Sequence, residues 1–538
     1  MATLVSHPDE VRVISKRFGQ GATDIDRYLQ LDGYKAVQKA LAMQPDAIIN
    51  EVKNSGLRGR GGAGFSTGMK WSFVPKQSAK PKYVLCNGDE SEPGTCKDRL
   101  IFEHDPHAVI EGVMIAALAV GAHTGYIYVR GEYRYLLVII QKALAMQPDA
   151  IITEVKNSGL RGRGGAGFST GMKWSFVPKQ SAKPKYVLCN GDESEPGTCK
   201  DRLIFEHDPH AVIEGVMIAA LAVGAHTGYI YVRGEYRYLL VIMQKALKDA
   251  YGKGFLGKNI FGSGYDLDIH WHGGAGAYEV GEESALMESL EGKRGIPRIR
   301  PPFPAVVGLW GGPTVINNVE TLAAVPHIIL GSADWYSKLG TPKNGGTRLF
   351  CLAGNLNKPG VYELPMGYNL KKMIYEVGGG IPNGRSLKAV VPGGSSTPVL
   401  LPEEIDVAMD FDSVAKTGSM LGSGGVVVLD DNACIVKFAL RTMKFYRHES
   451  CGWCIPCREG TDWLEKTLIR FHSGGGVKKD IDNMYYLSEN MLGKTFCPLG
   501  DAAAMPTMAF VKKFRKEFED HLDGKPCPFE KVGEAVLV

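Results

Sequence analysis

No long apolar run appears anywhere in this chain. The longest, VMIAALAVGA at Val216–Ala225, is about ten residues, half the length that a bilayer-spanning helix needs. It reads as a buried helix. The N-terminus, MATLVSHPDEVRVISKRF, lacks the apolar centre of a signal peptide and carries acidic residues that transit peptides avoid. A cytosolic protein is therefore expected, where thiols stay reduced. Its 11 cysteines then read as metal ligands or core thiols before disulfides. An excess of one charge sign is also missing: 62 basic against 58 acidic residues leaves a net +4, which gives no footprint for nucleic acid. Finally, the glycine-rich stretches lack the Gly-Lys-Ser/Thr ending of a Walker loop, which sets the P-loop nucleotidases aside.

What the chain has in excess is glycine, 67 of 538 residues, well above the usual share of about 7%. Tight turns and close backbone approaches to a ligand are the expected use. Length allows three or four domains, and the hydrophobic (44%) and charged (22%) fractions are those of an ordinary globular protein.

The chain also contains itself. Gln38–Ile140 and Gln141–Met243 are one 103-residue sequence written twice, differing only at Asn50/Thr153 and Ile140/Met243. Solenoid repeats are shorter and drift apart between copies. The tetrapeptide QKAL stands at Gln38, Gln141 and Gln244, so recombination or mis-assembly between two such sites would double what lies between them. Both copies carry LRGRGGAGFSTGMKWSF, whose glycines let backbone N–H groups approach a phosphate. In the second copy these are Gly162, Gly164, Gly165 and Gly167, with Arg163 and Lys173 as cations able to meet it. A glycine-rich turn can also be only a turn.

The next stretch, KPKYVLCNGDESEPGTCKDR, reads as a strand at Tyr186–Cys189 ending in a polar turn with Asn190, Asp192, Glu193 and Glu195. Ligands of α/β domains bind beyond the carboxyl ends of strands; a solvated acidic turn is the plainer alternative. A second glycine–acid segment, Gly273–Gly292, leads through Tyr278 into Glu282 and Glu283, which open an amphipathic helix with Leu286, Met287 and Leu290 on one face. Glutamates in a first helical turn also have the helix dipole as their explanation. After it, RPPFPA presents Phe303, and Asn317–Asn318 precede another helix.

Near the C-terminus Cys451, Cys454 and Cys457 stand in C-x2-C-x2-C spacing, and Cys497 follows 40 residues on. Three close thiolates can hold three irons of a cubane while a remote one takes the fourth. Tetrahedral zinc is the rival, though it usually takes two separated pairs. Cys189, Cys199, Cys351, Cys434 and Cys527 lack such spacing and read as core or structural thiols. Four amphipathic segments surround the motif and predict a helical bundle. Strand-like runs RLFCLAG, VYELP, LKAVVPGG and GGVVVLD occupy about 348–428.

In this order, SGLRGRGGAGF, NGDESEPGTCKDR, GAGAYEVGEE, RPPFPA, NNVET and the cysteine motif resemble the flavoprotein subunits of respiratory complex I, with which the diaphorase subunits of NAD-linked hydrogenases and formate dehydrogenases share them. The likeness runs from about Tyr34 to Leu522 once one repeat is removed. It implies a Rossmann-like α/β flavin and NADH domain, a small β-grasp domain and a helical domain with a [4Fe–4S] cluster. It implies FMN among Gly162, Arg163, Gly164, Gly165, Lys173, Asn190, Asp192, Glu193, Asn317 and Asn318. NADH would lie over it, with Phe168, Phe176 and Phe303 at its adenine and Tyr278, Gly281, Glu282 and Glu283 along the dinucleotide. Glu195 would orient the substrate at the catalytic position, and Cys451, Cys454, Cys457 and Cys497 would hold the cluster. Arg300 departs from the family, where many relatives carry lysine.

The expected division is an N-terminal arm (1–37), a redundant first half (38–140), an FMN/NADH domain (141–335), a β-grasp domain (340–430) and a helical cluster domain (435–525). Only the second copy runs directly into the segment bearing Tyr278 and Glu282, so it is the copy expected to bind FMN, with the first outside the core. The resemblance implies NADH oxidation feeding quinone through partners. These are a thioredoxin-like iron–sulfur subunit and a larger multi-cluster subunit, with attachment to the inner face of the plasma membrane only through them and no nucleic acid involved. The alternatives are the diaphorase of a soluble formate dehydrogenase or hydrogenase, and a non-catalytic electron-transfer or scaffold protein whose flavin site the duplication has disabled.

Overall fold

The computed structural model describes residues 12–18, 20, 22, 25–58, 60, 65–78, 80–88, 98, 101–102, 105–129, 137–522, 527 and 529. The chain divides into two compact units, Met1–Tyr135 and Leu136–Val538. Residues 1–11 of the expected arm, the first glycine loop at 61–64 and most of the first acidic turn lie outside the described residues.

The first unit contains helices α1 (Lys35–Leu41), α2 (Pro45–Asn54), α3 (Thr67–Ser72) and α4 (Pro106–Val120), with the parallel strands β1 (Tyr83–Gly88) and β2 (Thr124–Val129). Proline opens α2 and α4, where its missing N–H costs no intrahelical bond. Asp105 caps α4 by accepting from the Ala108 N–H, and Gly121 closes it in the left-handed region at φ 67°. The core here is small: Ala40, Ile48, Ile49 and Ala119.

The second unit holds two four-stranded sheets with their helices and a set of C-terminal helices. Strands β3 (Tyr186–Gly191), β4 (Thr227–Val232), β5 (Asp268–Gly273) and β6 (Thr314–Asn318) form a parallel sheet in the order β5–β4–β3–β6. Helices α5 (Leu137–Ala145), α6 (Pro148–Asn157), α7 (Thr170–Ser175), α8 (Lys200–His207), α9 (Pro209–Val223), α10 (Arg237–Gly252), α11 (Glu283–Leu290) and α12 (Val319–Gly331) accompany it. Every residue of α9 from Val212 to Val223 is buried, the pattern of a helix that is apolar all round. Gly215 lets α12 approach so closely that a Cβ there would sit 2.1 Å from the Leu322 carbonyl oxygen.

The four strand-like runs are β7 (Thr347–Gly354), β8 (Gly360–Pro365), β9 (Leu387–Val391) and β10 (Gly425–Asp430), in the order β8–β7–β10–β9. Strand β10 is parallel to β7 and antiparallel to β9. The C-terminal segments are α13 (Ile435–Glu449), α14 (Ile455–His472), α15 (Lys478–Met491), α16 (Leu499–Lys513) and α17 (Arg515–Glu519). The last amphipathic segment is thus two helices, because Phe514 leaves helical geometry at φ −122°. Met443, Leu464, Leu468, Phe471, Ile481 and Phe510 share the core of these helices. Among the described residues no helix is long and apolar enough to cross a membrane.

Candidate functional site

The carboxyl ends of β3 and β6 lie side by side, with Cys189 opposite Asn317 and Asn190 opposite Asn318. That register brings two residues 128 positions apart onto one rim. Asn318 caps α12 by accepting from the Glu320 N–H at 3.1 Å. The glycine loop closes against this rim. Gly162 N–H donates to the Phe168 carbonyl at 2.8 Å, and Thr170 N–H donates to Leu160 at 3.0 Å. Gly164 abuts Asn318 closely enough that a Cβ would stand 3.2 Å from the asparagine Cβ. Gly167 has φ 64°, and a Cβ there would strike the Phe411 ring at 2.3 Å, so both steric and backbone reasons require glycine.

Opposite the loop, Asn190 Nδ2 donates to the Gly281 carbonyl at 2.8 Å. A Cβ on Gly281 would lie 3.1 Å from Asp192 Oδ2. The structure therefore gathers Gly164, Asn190, Asp192, Gly281 and Asn318 around one rim. Burial pushes Asp192 up to about 7. Burial likewise raises Glu193, whose carboxylate accepts from the Asp201 and Arg202 N–H groups at 2.7 and 3.0 Å and so caps α8.

Several of the expected residues bond to the protein itself. Arg163 is fully buried and donates through Nη2 to the Gly345 and Thr347 carbonyls, both at 2.9 Å. Asn317 accepts from Trp174 Nε1 at 2.8 Å. Lys173 Nζ pairs with Glu283 at 2.7 Å, and Arg300 binds the same carboxylate at 3.1 Å. Burial opposes the charge on Glu283, but Lys173 and then Arg300 outweigh it and hold the group below the ordinary glutamate range. Glu282 caps α11, accepting from the Ser284 and Ala285 N–H groups at 2.9 and 3.0 Å. The helix-end explanation of that glutamate is therefore its observed role.

Phe168 and Phe176 are about half exposed, with ring centroids 6.1 Å apart, and Phe303 is exposed as well.

Glu195 is the best-connected acid. Tyr278 OH donates to its Oε2 at 2.7 Å, Ser396 N–H to its Oε1 at 2.8 Å and Ser395 Oγ to the same oxygen at 3.3 Å. Ser395 meets Tyr446 OH at 2.9 Å, and Tyr278 N–H donates to Glu449 at 2.8 Å. Burial raises Glu195 above the ordinary range, against these hydrogen bonds. Tyr446 and Glu449 lie on the last turn of α13, which ends at the cysteine loop. One helix end thus contacts Glu195's group and delivers the chain to Cys451.

Cys454 caps α14 and Cys457 lies buried in its first turn, with Ser450 Oγ 3.2 Å from its sulfur. Cys497 precedes α16. Trp453 and Phe496, each next to one of these cysteines, stack at 4.3 Å and 18°, which pins the two cysteine segments together. Burial pushes Cys457 to about 11 and Cys497 to about 12. Metal ligation at such thiols must displace protons.

Sequence reasoning missed a buried charge group beneath the rim. Lys200 is 1% exposed and pairs with Asp201 at 2.6 Å and Glu320 at 2.9 Å. Asp201 accepts from Asn318 Nδ2 at 2.6 Å. Arg348 donates to the Arg163 and Gly422 carbonyls, and burial lowers it to about 10. The signal was the KDR of the acidic turn and the Glu of NNVET, charges set directly beside apolar strands.

The donor set suits the groups that these motifs imply. Thr170 Oγ1, at the end of the glycine loop, is buried with no partner in the protein, as expected for a hydroxyl reserved for a ligand. Four thiols on two loops clamped by one aromatic stack suit a cubane.

The Nuo51 FMN-binding domain family matches residues 52–154 and again 155–327, the SLBB domain family matches 349–400, and the NADH-ubiquinone oxidoreductase-F iron–sulfur binding region matches 437–521. A curated relative in Rhizobium meliloti (strain 1021), the F 2 subunit of NADH-quinone oxidoreductase, is 54% identical over 400 residues, covering 74% of this chain and 94% of its own length. The F subunit of the Mycobacterium bovis NADH-quinone oxidoreductase is 52% identical over 395 residues, 73% of this chain and 88% of the relative. Among solved structures, an air-oxidised NAD+-reducing [NiFe]-hydrogenase is similar at TM-score 0.65 and 37% identity, over 72% of this chain and 65% of that longer one.

Fold and site together define a flavin- and iron–sulfur-dependent NADH dehydrogenase subunit, with FMN and a [4Fe–4S] cluster as cofactors and NADH as the fitting substrate. More narrowly, the chain belongs to the family of NADH-quinone oxidoreductase F subunits, the electron-input subunits of complex I.

Proposed function

We propose that this chain oxidises NADH at the rim formed by β3 and β6 of residues 141–335 and passes electrons through the cysteine loop of residues 435–525. FMN, when bound, links the two-electron hydride of NADH to the single electrons that an iron–sulfur cluster accepts. Gly164 and Gly165 offer backbone N–H groups to it, Gly162 closes the loop through its bond to Phe168, and Asn190, Asp192 and Asn318 line the rim beside it. Phe168, Phe176 and Phe303 receive the adenine, and Lys173, Glu282 and Glu283 form an ordered wall along the dinucleotide. Arg163 and Asn317 hold the loop and rim, Arg163 through Nη2 to the Gly345 and Thr347 carbonyls and Asn317 through the bond its Oδ1 accepts from Trp174. Cys451, Cys454, Cys457 and Cys497 hold the cluster. The sheet β7–β10 within 340–430 is read as the β-grasp domain and residues 141–335 as the Rossmann-like one. Residues 38–140 are read as a redundant half.

The observation that carries this reading is the Glu195–Tyr278–Glu449 chain of contacts, which ties the substrate-facing acid to the helix end preceding Cys451. A subunit with one cluster needs others to reach quinone. The partners proposed are a thioredoxin-like iron–sulfur subunit and a larger multi-cluster subunit, with membrane attachment on the cytoplasmic face through them. The higher identity to the NADH-quinone oxidoreductase relatives than to the hydrogenase chain favours complex I over a soluble dehydrogenase.

The test compares Glu195→Gln with its counterpart Glu92→Gln. The first should lower kcat/KM for NADH–ferricyanide reduction by about ten-fold or more, since misplaced substrate loses orientation. FMN and iron content should hold. The second should match the parent. Bound flavin should be one per chain; a ratio near two, or equal losses from both substitutions, overturns the choice of site.

A further inference from the structure

Away from the cysteine loop of the cluster, three further ligand-type side chains converge at the other end of α13. Cys434 caps that helix, His521 follows α17, and Cys527 lies beyond it in sequence. All three are buried, at 8%, 0% and 5% exposure. Cys434 Sγ stands 3.5 Å from His521 Nε2 and 3.6 Å from Cys527 Sγ. The three ligand atoms all lie within 4.8 Å of one another.

These separations are those of a shared ion. With zinc–sulfur bonds near 2.3 Å and zinc–nitrogen bonds near 2.0–2.1 Å, tetrahedral geometry puts two sulfurs about 3.8 Å apart and sulfur and nitrogen about 3.6 Å apart. A disulfide would need sulfurs near 2.05 Å, far inside the observed distance. The histidine is set up for ligation as well. Its Nδ1 meets the Glu517 backbone carbonyl at 2.7 Å, which fixes the proton on Nδ1 and leaves the lone pair of Nε2 facing the sulfurs. Ligating histidines carry this kind of outer hydrogen bond. The Lys437 N–H donates to Cys434 Sγ at 3.3 Å, a contact that favours thiolate over thiol. Glu517 in turn binds the Ile435 N–H at 2.6 Å and Lys388 at 2.7 Å, so the supporting shell is itself anchored.

We propose that Cys434, His521 and Cys527 bind one zinc ion, a second metal site separate from the iron–sulfur centre. Each thiol gives up its proton to solvent on binding, and the remaining coordination position goes to water. No oxidation is involved. The ion would fasten Cys527 to the start of α13 and to His521 beyond α17, and so brace the helix whose far end leads into Cys451. Its role would be structural, because none of its ligands reaches the rim residues.

Elemental analysis of the purified holoprotein should give one zinc per chain beside the iron of the cluster. Cys527→Ser and His521→Asn should each lower zinc by at least five-fold while iron, FMN and NADH–ferricyanide turnover hold, with a fall in Tm. Zinc that persists in the Cys434→Ser/Cys527→Ser double variant overturns the site. So does a zinc-depleted parent protein that takes up no zinc when titrated with zinc chloride. Should the variants fail to fold, cobalt(II) added to the zinc-depleted parent decides it. A thiolate-to-cobalt charge-transfer band at one equivalent supports the site, and its absence sinks it. Recovery of a Cys434–Cys527 disulfide from the non-reduced, zinc-free parent would also overturn the proposal.

Discussion

Residues 38–140 and 141–243 are spelled almost alike and, where both are described, folded alike at short range, yet they live in different surroundings. Helices α4 and α9 start on Asp105 and Asp208 and stop on left-handed Gly121 and Gly224. Strands β1 and β2 pair in the same register as β3 and β4, Tyr83 to Thr124 and Tyr186 to Thr227. Even the ring pairs agree: Phe65–Phe73 and Phe168–Phe176 both stand at 6.1 Å and 48°. Burial does not agree. Leu85 is 70% exposed where Leu188 is 0%, and Leu57 is 43% exposed where Leu160 is 1%. The second copy is followed by β5, β6 and α12, which complete its sheet and cover its helix; within the first unit the sheet stops at two strands among the described residues. Local conformation follows from the letters, through caps and turns. Burial follows from what comes after them, and that exists once.

The same contrast reaches a carboxylate. Glu111 accepts from Tyr28 OH at 2.6 Å and from the Tyr34 and Val37 N–H groups at 3.0 Å each. Burial works against its charge, but those bonds outweigh it and keep it below the ordinary range. Glu214, its counterpart on α9, is 2% exposed with Oε1 unpartnered, and burial pushes it up to about 9. Tyr28 and Tyr34 precede the first copy only, so the first copy alone has their contacts.

The largest expected effect separates the copies by their tryptophans. Trp174 is fully buried and bonds Asn317, whereas Trp71 packs only partly buried at the edge of a small core. Trp174→Ala should cost about 3–5 kcal/mol and loosen the rim at Asn317, so bound FMN should fall in step. Trp71→Ala should cost about 1 kcal/mol or less and leave FMN untouched. Denaturant titration followed by flavin fluorescence reads both. Equal costs, or flavin lost from the Trp71 variant, would mean that the first copy also builds a covered site.

Much of this was legible in the sequence. The strand ending in Asn190, the glycine loop and the helix opened at Glu282 are short-range patterns, and each carries its own period or cap. The glycines of the loop were legible because close backbone packing needs a missing Cβ, as Gly164 against Asn318 shows. What the sequence could not reveal was which charges spend themselves on the protein. Lys173 and Arg163 read as phosphate partners, but Glu283 lies 110 residues from the first and Gly345 182 from the second. The Lys200–Asp201–Glu320 group and the Cys434–His521–Cys527 trio are likewise assembled across long separations. No periodicity encodes such meetings; they depend on sheet order and on which helix end meets which loop.

The smaller test uses the two glutamates and turns on sign. Glu214 binds its proton more tightly folded than unfolded, so its contribution is full below the ordinary glutamate range. That contribution drains as pH rises toward about 9. Between pH 5 and 8 Glu214 should add a loss of stability on the order of 1 kcal/mol per pH unit to the second unit, and Glu214→Gln should reduce the slope by that amount, with Asp192 and Glu193 supplying what remains. Glu111 runs the other way: its stabilisation is present above the ordinary range and is lost only as pH falls below it. Glu111→Gln at pH 7 should keep an acceptor only at its amide oxygen, leave either the Tyr34 or the Val37 N–H facing an NH2 group, and cost the first unit about 1–3 kcal/mol. Hydrogen exchange reads each unit separately, through the Val37 amide in one and the α9 amides in the other. A flat profile for α9 in the parent, or the same slope in both variants, would mean that Glu214 has found the partner that Glu111 has. The two copies would then differ less than their burial implies.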